Sequence, residues 1–230
     1  MDRREVPTLT SMRALVTGGT GRIGAAVSER LRAEGWSVLA AGRADGDLAR
    51  TEGAQALVAR AVDELGGLDL LVNAAGEGFV PKPVAGVTEA DWDTAFGATA
   101  KGTFFVTQAA APHLRESRGL VVVLEDVAAY QPWVSFAPHS AAKAAQAMLT
   151  RVFARALAPE VRVCGIAPGP VAVEPGQEER RAAETLLGRI GSPDDIADAV
   201  LYLAGAEFVT GTSLVVDGGR LLQTERLPEP

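Results

Sequence analysis

The glycine-rich segment Thr17-Gly-Gly-Thr-Gly-Arg-Ile-Gly24 constrains the fold of this chain more than any other feature. It follows a short apolar run at residues 12–16 and opens a helical pattern over residues 23–31. A glycine turn between a strand and a helix lets backbone N–H groups approach a phosphate at the helix N-terminus. Glycine also serves tight turns for steric reasons alone. The segment therefore predicts a strand–turn–helix unit, with a nucleotide cofactor as the first hypothesis.

Strand and helix patterns alternate through the rest of the chain, which is typical of a doubly wound parallel sheet in an α/β protein. Further strands are predicted at residues 37–41, 69–72, 119–124, 161–166 and 214–216, and helices at 55–65, 88–114, 136–157 and 192–203. The proline- and charge-rich stretch at 168–189 is predicted to cover the substrate. We predict one domain over residues 12–222, with flexible tails at 1–11 and 223–230.

Composition excludes several classes of function. The net charge of −7 argues against a nucleic-acid partner, which would require a basic face. The chain has no apolar run of membrane-spanning length and no signal-peptide core, so a cytoplasmic location is expected. Two histidines and one cysteine are too few for a zinc cluster, so no metal is expected, and Cys164 is predicted to be a core residue.

Motifs spread along the chain together resemble the short-chain dehydrogenases/reductases. The glycine turn resembles that family's TGxxxGxG loop, and Asn73-Ala-Ala-Gly76 resembles its NNAG segment. Lys143 falls at the lysine of YxxxK, and residues 166–170 resemble the cofactor-side PG loop. The resemblance spans about residues 13–222 and implies a Rossmann-like fold and a nicotinamide cofactor. The implied cofactor contacts are Gly18, Thr20, Arg22, Ile23, Gly24, Arg43, Asp47, Asn73, Ala74, Ala75, Gly76, Lys143, Pro168, Gly169 and Val171.

One departure from the family concerns the segment after the second strand. Only residues 44–46 separate Arg43 from Asp47, where the family has a helix and an edge strand. We therefore predict that this helix and strand are lost or vestigial and that the adenine end of the cofactor site is open. Asp47 aligns with an adenine-contacting residue of the family, and an ordinary solvated turn residue is the alternative.

The end of the second strand bears on the choice of cofactor. NAD-preferring relatives place an acid there to bind the ribose hydroxyls, whereas this chain has Gly42 followed by Arg43. A guanidinium matches a 2′-phosphate, and Arg22 adds positive charge beside the phosphates. These residues predict NADPH, while the alternative for Arg43 is an ordinary surface arginine.

The catalytic positions depart further. The family uses an Asn–Ser–Tyr–Lys set, and alignment places Thr99, Asp126, His139 and Lys143 at these positions. Asp126, His139 and Lys143 are the predicted catalytic residues. His139 and Asp126 could form a proton relay beside the lysine. Alternatively, His139 only fills the space of the tyrosine in a slow or inactive enzyme, or Tyr130 supplies a hydroxyl.

Some of these departures resemble pteridine reductases in particular. That subfamily shares the arginine of the loop, the aspartate at the serine position, and motifs like Gln131-Pro132 and Phe79-Val-Pro-Lys-Pro83. The resemblance implies that Phe79 stacks on a pterin-like ring and that Asp126 and Lys143 act in its protonation.

The sequence thus predicts an NADPH-dependent reductase of a C=N or C=O group in a small, pterin-like molecule. A cofactor-binding protein without redox turnover, or a lyase or isomerase that uses Asp126 and His139, remain alternatives. The resemblance implies a homotetramer or homodimer formed by the helices predicted at 88–114 and 136–157, whose alanines at 109–111 and 141–147 permit close approach. The alternative is that these alanines face the protein's own sheet.

Overall fold

A parallel sheet of six strands forms the centre of the computed structural model, which describes residues 12–76 and 80–223. The strand order is β2-β1-β3-β4-β5-β6, and every neighbouring pair is parallel. The strands are β1 Arg13–Thr17, β2 Ser37–Ala41, β3 Leu70–Asn73, β4 Leu120–Leu124, β5 Arg162–Pro168 and β6 Ser213–Val216. This confirms the predicted doubly wound α/β fold, with each strand close to its predicted position.

Helices cover both faces of the sheet, and side chains that alternate along each strand supply both cores. Leu15 and Leu71 face α2, α4 and α5, whereas Val16 and Val72 face α1 and α7. All four side chains are fully buried. The helices are α1 Arg22–Ala33, α2 Thr51–Leu65, α3 Glu89–Phe96, α4 Gly102–Ser117, α5 Ala137–Leu157, α6 Glu178–Ala182 and α7 Pro193–Gly205.

The long helix predicted over residues 88–114 is present as one continuous helical stretch, but it is not α-helical throughout. A π-helical turn at Gly97–Lys101 separates α3 from α4, and α4 extends to Ser117. A Cβ on Gly97 would lie 3.0 Å from that of Ala49, and one on Gly102 would lie 3.3 Å from that of Leu48. The two glycines therefore let this part of the helix pack closely on the segment before α2.

The connection between β2 and α2 is short, as predicted. Residues 42–50, all of which the structure describes, contain one 3-10 turn, Arg43–Asp45, and neither a further strand nor an α-helix. The Asp45 carboxylate accepts hydrogen bonds from Gly42 N at 2.7 Å and from Arg60 at 2.9 Å. These bonds, that from Gly42 first, lower the pKa of Asp45. Because β2 is the edge strand, no strand from residues 12–76 or 80–223 covers the side of the domain beside this turn.

Candidate active site

The predicted site residues gather where the parallel strands end. The glycine turn follows β1, Asn73–Gly76 closes β3, Asp126 lies two residues after β4, and the PG loop follows β5. In open parallel sheets, ligands bind at this carboxyl edge, near the point where the strand order reverses. The reversal here lies between β1 and β3, which pair side by side although β2 separates them in sequence.

The glycine turn is packed so tightly that side chains are excluded. Gly18 has φ +65°, and a Cβ there would lie 2.6 Å from Ala74 O. A Cβ on Gly24 would lie 2.8 Å from the carbonyl carbon of Gly18. Helix α1 then starts with Gly21 as its N-cap, which offers no side-chain acceptor, and its first turn contains no acid. The first N–H groups of α1 are thus suited to an anion such as a pyrophosphate.

The Thr20 side chain lies against the end of β2. A Cβ on Gly42 would lie 2.7 Å from Thr20 Cγ2, and its contact with Thr20 Oγ1 would be closer still. Thr20 is exposed, so a larger residue at position 42 would require the Thr20 side chain to shift.

Arg43 and Asp47, the two predicted adenosine contacts, are both exposed on the connection after β2. Arg43 opens the 3-10 turn, beside the Gly42–Thr20 contact. Asp47 Oδ1 accepts a hydrogen bond from Ala49 N at 3.0 Å, which is the geometry of a turn residue bonded to its own loop.

Arg22 contacts the segment that follows β5. Its guanidinium pairs with Glu174 and donates hydrogen bonds to the carbonyls of Ala172 and Val173. Both Arg22 and Glu174 are more than half exposed. The sequence prediction placed Arg22 beside the phosphates, and the structure joins it to the stretch predicted to cover the substrate.

Thr17 and Thr107 hold the segment after β3. The hydroxyl of Thr17 accepts hydrogen bonds from the N–H groups of Ala74 and Ala75, both at 3.2 Å. The buried Asn73 side chain donates to Thr107 Oγ1 at 3.0 Å. These bonds fix the backbone opposite the glycine turn. Phe79, the predicted ring-stacking residue, lies outside the described residues.

The three predicted catalytic residues lie together. His139 Nε2 is 3.7 Å from Asp126 Oδ2, an ion-pair distance that is longer than a hydrogen bond. The other oxygen, Asp126 Oδ1, accepts a hydrogen bond from Ala128 N at 2.7 Å, which fixes the orientation of the carboxylate. Lys143 is one helical turn after His139 on α5, and its Nζ donates to Leu124 O at 2.8 Å.

Burial and nearby carboxylates shift the pKa of Lys143 in opposite directions. Burial lowers the pKa of Lys143, because a buried ammonium has lost its hydration. The carboxylates of Asp126 and Glu125 act in the opposite direction and raise it. Thr99, at the position of the family's asparagine, is buried within the π turn, and its carbonyl accepts a hydrogen bond from Gln146 Nε2 at 3.3 Å.

Glu125 is the polar residue of this region that sequence reasoning missed. It is only 2% exposed, and its carboxylate accepts hydrogen bonds from the hydroxyls of Tyr130 and Thr150, both at 2.7 Å, and of Ser213 at 3.0 Å. Burial is the main cause that raises the pKa of Tyr130. The Tyr130 hydroxyl, considered above as a donor to substrate, is thus engaged with Glu125. An acid directly after five apolar strand residues was the available signal.

The PG loop is anchored to the end of β6. A Cβ on Gly169 would lie 2.6 Å from Asp217 Cα, and Gly169 N donates to Val216 O at 2.9 Å. Val171 forms an isolated parallel bridge with Gly191, beyond the covering segment. Pro168 is the last residue of β5, so the backbone of residues 168–171 has a fixed path beside the site.

Within residues 12–76 and 80–223, His, Cys, Asp and Glu side chains form no group of three that could hold a metal ion. No helix in those ranges is long and apolar enough to cross a membrane.

Comparisons with known proteins extend over almost the whole chain. The family model described as Enoyl-(Acyl carrier protein) reductase matches residues 20–220. 3beta-hydroxysteroid dehydrogenase 1 of Eggerthella lenta is 33% identical, covering 90% of this chain and 93% of that protein. Dehydrogenase/reductase SDR family member 4 of Homo sapiens is 31% identical, covering 95% of this chain and 90% of that protein.

Solved structures share the fold over similar lengths. The 3-ketoacyl-(acyl-carrier-protein) reductase of Brucella melitensis, complexed with NADH, superimposes with a TM-score of 0.87 at 25% identity and covers 92% of this chain and 99% of its own. A short-chain dehydrogenase of Burkholderia cenocepacia in complex with NADP gives 0.86 at 29% identity, with 93% and 99% covered.

Proposed function

Because the chain belongs to the short-chain dehydrogenase/reductase family, whose members are oxidoreductases with a nicotinamide cofactor, we propose that it reduces a C=N or C=O group with NADPH. The main support for this proposal is that Asp126, His139 and Lys143 lie close together at the carboxyl edge of the sheet. The same edge carries the tightly packed glycine turn. A dinucleotide and a small substrate would there share one site.

The residues present fit a nicotinamide dinucleotide. The N–H groups at the start of α1 and the adjacent glycine turn would bind the pyrophosphate. The backbone of Asn73–Gly76 and residues 168–171 would border the nicotinamide half, and Lys143 would bind its ribose hydroxyls. When bound, NADPH supplies a hydride for the reduction.

Preference for NADPH over NADH is proposed from the corner formed by Gly42 and Arg43. Position 42 carries no acid and packs closely against Thr20, and Arg43 lies exposed directly beside it. A 2′-phosphate would find a guanidinium there in place of a repelling carboxylate. The solved relatives include one complex with NADH and one with NADP, so the fold accommodates either cofactor.

The proton of the reduction is assigned to His139. Hydride would add to the carbon of the C=N or C=O bond, and the imidazolium of His139 would give its proton to the nitrogen or oxygen. Asp126, oriented by the bond from Ala128 N, lies beside this imidazole, with 3.7 Å between Asp126 Oδ2 and His139 Nε2. Solvent would return the proton to His139, which closes the cycle.

The substrate is proposed to be a small pterin-like ring. The support is the pairing of Asp126 with a basic partner that could deliver a proton to a ring nitrogen. Phe79 is the residue proposed to stack on that ring. A carbonyl substrate would use the same hydride and the same proton.

The oligomer is proposed to be a homodimer or homotetramer that uses the exposed face of α5. Of the predicted alanines, Ala110 and Ala142 are fully buried in the protein's own core, so the close-approach argument fails for them. Met148 and Val152, one turn apart on α5, are 53% and 47% exposed. Their apolar surface would be covered in an assembly.

The test is NADPH oxidation, followed at the nicotinamide absorbance, against a panel of oxidised pterins, ketones and aldehydes. We expect turnover with at least one of them, lost in H139F and in D126N while NADPH binding persists. Binding without turnover across the panel would favour a cofactor-binding protein. Conversion of a substrate without oxidation of NADPH would favour a lyase or isomerase.

A further inference from the structure

Arg22 joins the proposed cofactor turn to the covering segment, residues 168–189. It is the first residue of α1, so its backbone N–H belongs to the proposed pyrophosphate site. Its side chain donates hydrogen bonds to Ala172 O and to Val173 O, the second at 3.1 Å. Its other terminal nitrogen pairs with the carboxylate of Glu174. One guanidinium therefore bonds three consecutive residues of the covering segment.

The backbone that Arg22 contacts has an unusual conformation. Ala172 has φ +50°, in the left-handed region that residues other than glycine seldom adopt. Such a conformation persists only where the surrounding structure holds it. The bonds from Arg22 to the carbonyls of Ala172 and Val173 are contacts of this kind. The path of the chain directly after the PG loop therefore depends on Arg22.

The far end of the covering segment has separate anchors. Leu187 N donates to Gly218 O at 3.1 Å, and the carboxylate of Glu184 pairs with Arg220 at 3.1 Å. Both partners follow β6, at a distance along the chain from the glycine turn. If the guanidinium released residues 172–174, these anchors would stay in place. The change would then be confined to the few residues after the PG loop.

Glu174 offers Arg22 the same kind of partner that a bound dinucleotide would offer. Carboxylate and phosphate oxygens both accept charge-assisted hydrogen bonds from a guanidinium. A pyrophosphate bound by the N–H groups at the start of α1 would need this positive charge, which Glu174 neutralises in the structure. Both side chains are more than half exposed, so the guanidinium can exchange one anion for the other without burying a charge.

We propose that Glu174 sets the affinity for the dinucleotide by competing with its pyrophosphate for Arg22. The proposal rests on the proposed function, because it requires the cofactor to bind at the start of α1. Binding of the cofactor transfers the guanidinium from Glu174 to the pyrophosphate and releases residues 172–174. Breaking the ion pair offsets part of the binding free energy, so the protein binds the dinucleotide more weakly than it would without this acid.

The test is the affinity for NADPH and for NADH, measured by fluorescence titration of the full-length protein and of E174Q. Gln keeps the size of the side chain and removes its charge. We expect E174Q to bind both dinucleotides about threefold to fivefold more tightly, which is the value of a good exposed ion pair. The gain should be equal for the two, because they share the pyrophosphate. E178Q removes the same charge from the start of α6 and should keep the affinities of the parent protein.

The variant R22A identifies the cause of the gain. Without the guanidinium there is nothing for the two anions to compete for, so adding E174Q to R22A should leave the affinity unchanged. A gain that persists in the R22A background, or an equal gain in E178Q, would reveal general charge repulsion and overturn the proposal. Equal affinities of E174Q and the parent protein would also overturn it.

The binding measurement separates this proposal from the proposed function. Absence of dinucleotide binding in every variant would overturn both together. Absence of turnover with intact binding would contradict the proposed function alone, and the comparison of E174Q with the parent protein would still decide the role of Glu174.

Discussion

Replacing Gly165 with alanine should destabilise the protein through Glu125. The added Cβ would lie 2.5 Å from Glu125 Cδ and 2.8 Å from Ser213 Oγ. Ordinary van der Waals contact needs about 3.5 Å or more, so the carboxylate would have to move by roughly 1 Å. Its three hydroxyl donors are bonded at 2.7 to 3.0 Å, and that movement would lengthen or break these bonds.

Overpacking of this kind costs about 1–3 kcal/mol of unfolding free energy. For a chain of this length, each kcal/mol lowers the melting temperature by about 2–4 °C, so G165A should melt about 2–12 °C below the parent. Urea unfolding and a thermal scan would measure both quantities. G205A is the matched control, because a Cβ on Gly205 in α7 has no atom within 4 Å and should cost nothing.

A double-mutant cycle identifies the cause. E125A alone should destabilise the protein, because three hydroxyls lose their acceptor. In E125A the space in front of residue 165 is empty, so adding G165A should cost less than it does in the parent, with a coupling of about 1 kcal/mol or more. Additivity of the two changes within about 0.5 kcal/mol would refute the packing argument.

Other predictions test the cofactor, the proton donor and the assembly. Arg43→Ala should weaken NADPH binding by about tenfold and leave NADH binding unchanged, since the free energy of an exposed charge-assisted hydrogen bond lies at the low end of the usual range. Fluorescence titration measures both affinities, with the nearby Arg50→Ala as the control, and an equal loss for both cofactors would contradict a 2′-phosphate contact. His139→Tyr should raise the reduction of simple ketones, whereas His139→Phe should abolish turnover and keep NADPH affinity. Steady-state rates and a cofactor titration measure these effects, and full activity of H139F would assign the proton to another group. Met148→Glu combined with Val152→Glu should convert the assembly to monomers in light scattering, and an unchanged mass would place the interface elsewhere.

Most of the fold could be predicted from local patterns in the sequence. A strand needs alternating or continuous apolar residues and a helix needs apolar residues every three to four positions, and both patterns are confined to short stretches. The absence of a helix and strand after β2 could be predicted because only three residues separate Arg43 from Asp47. The positions of Asp126, His139 and Lys143 could likewise be predicted, since motif spacing fixes them along the chain.

The π-helical turn within the helix predicted over residues 88–114 was not visible in this way. The π turn forms where Gly97 and Gly102 meet Ala49 and Leu48, which are about fifty residues away in sequence. Nothing in the local composition of the helix specifies that contact. Gly97 and Gly102 lie within the helical pattern, and the contact with the neighbouring segment decided the form of the turn.

Polar partners were also decided by the tertiary structure. Glu125 could be read from the sequence only as an acid after a strand, whereas its donors come from positions 130, 150 and 213. Arg22 pairs with Glu174, some 150 residues away, although its place in the glycine turn suggested phosphate. The physical reason is that backbone pattern is set by neighbours in sequence, while the satisfaction of a buried or charged group depends on which distant segments the packed sheet brings beside it.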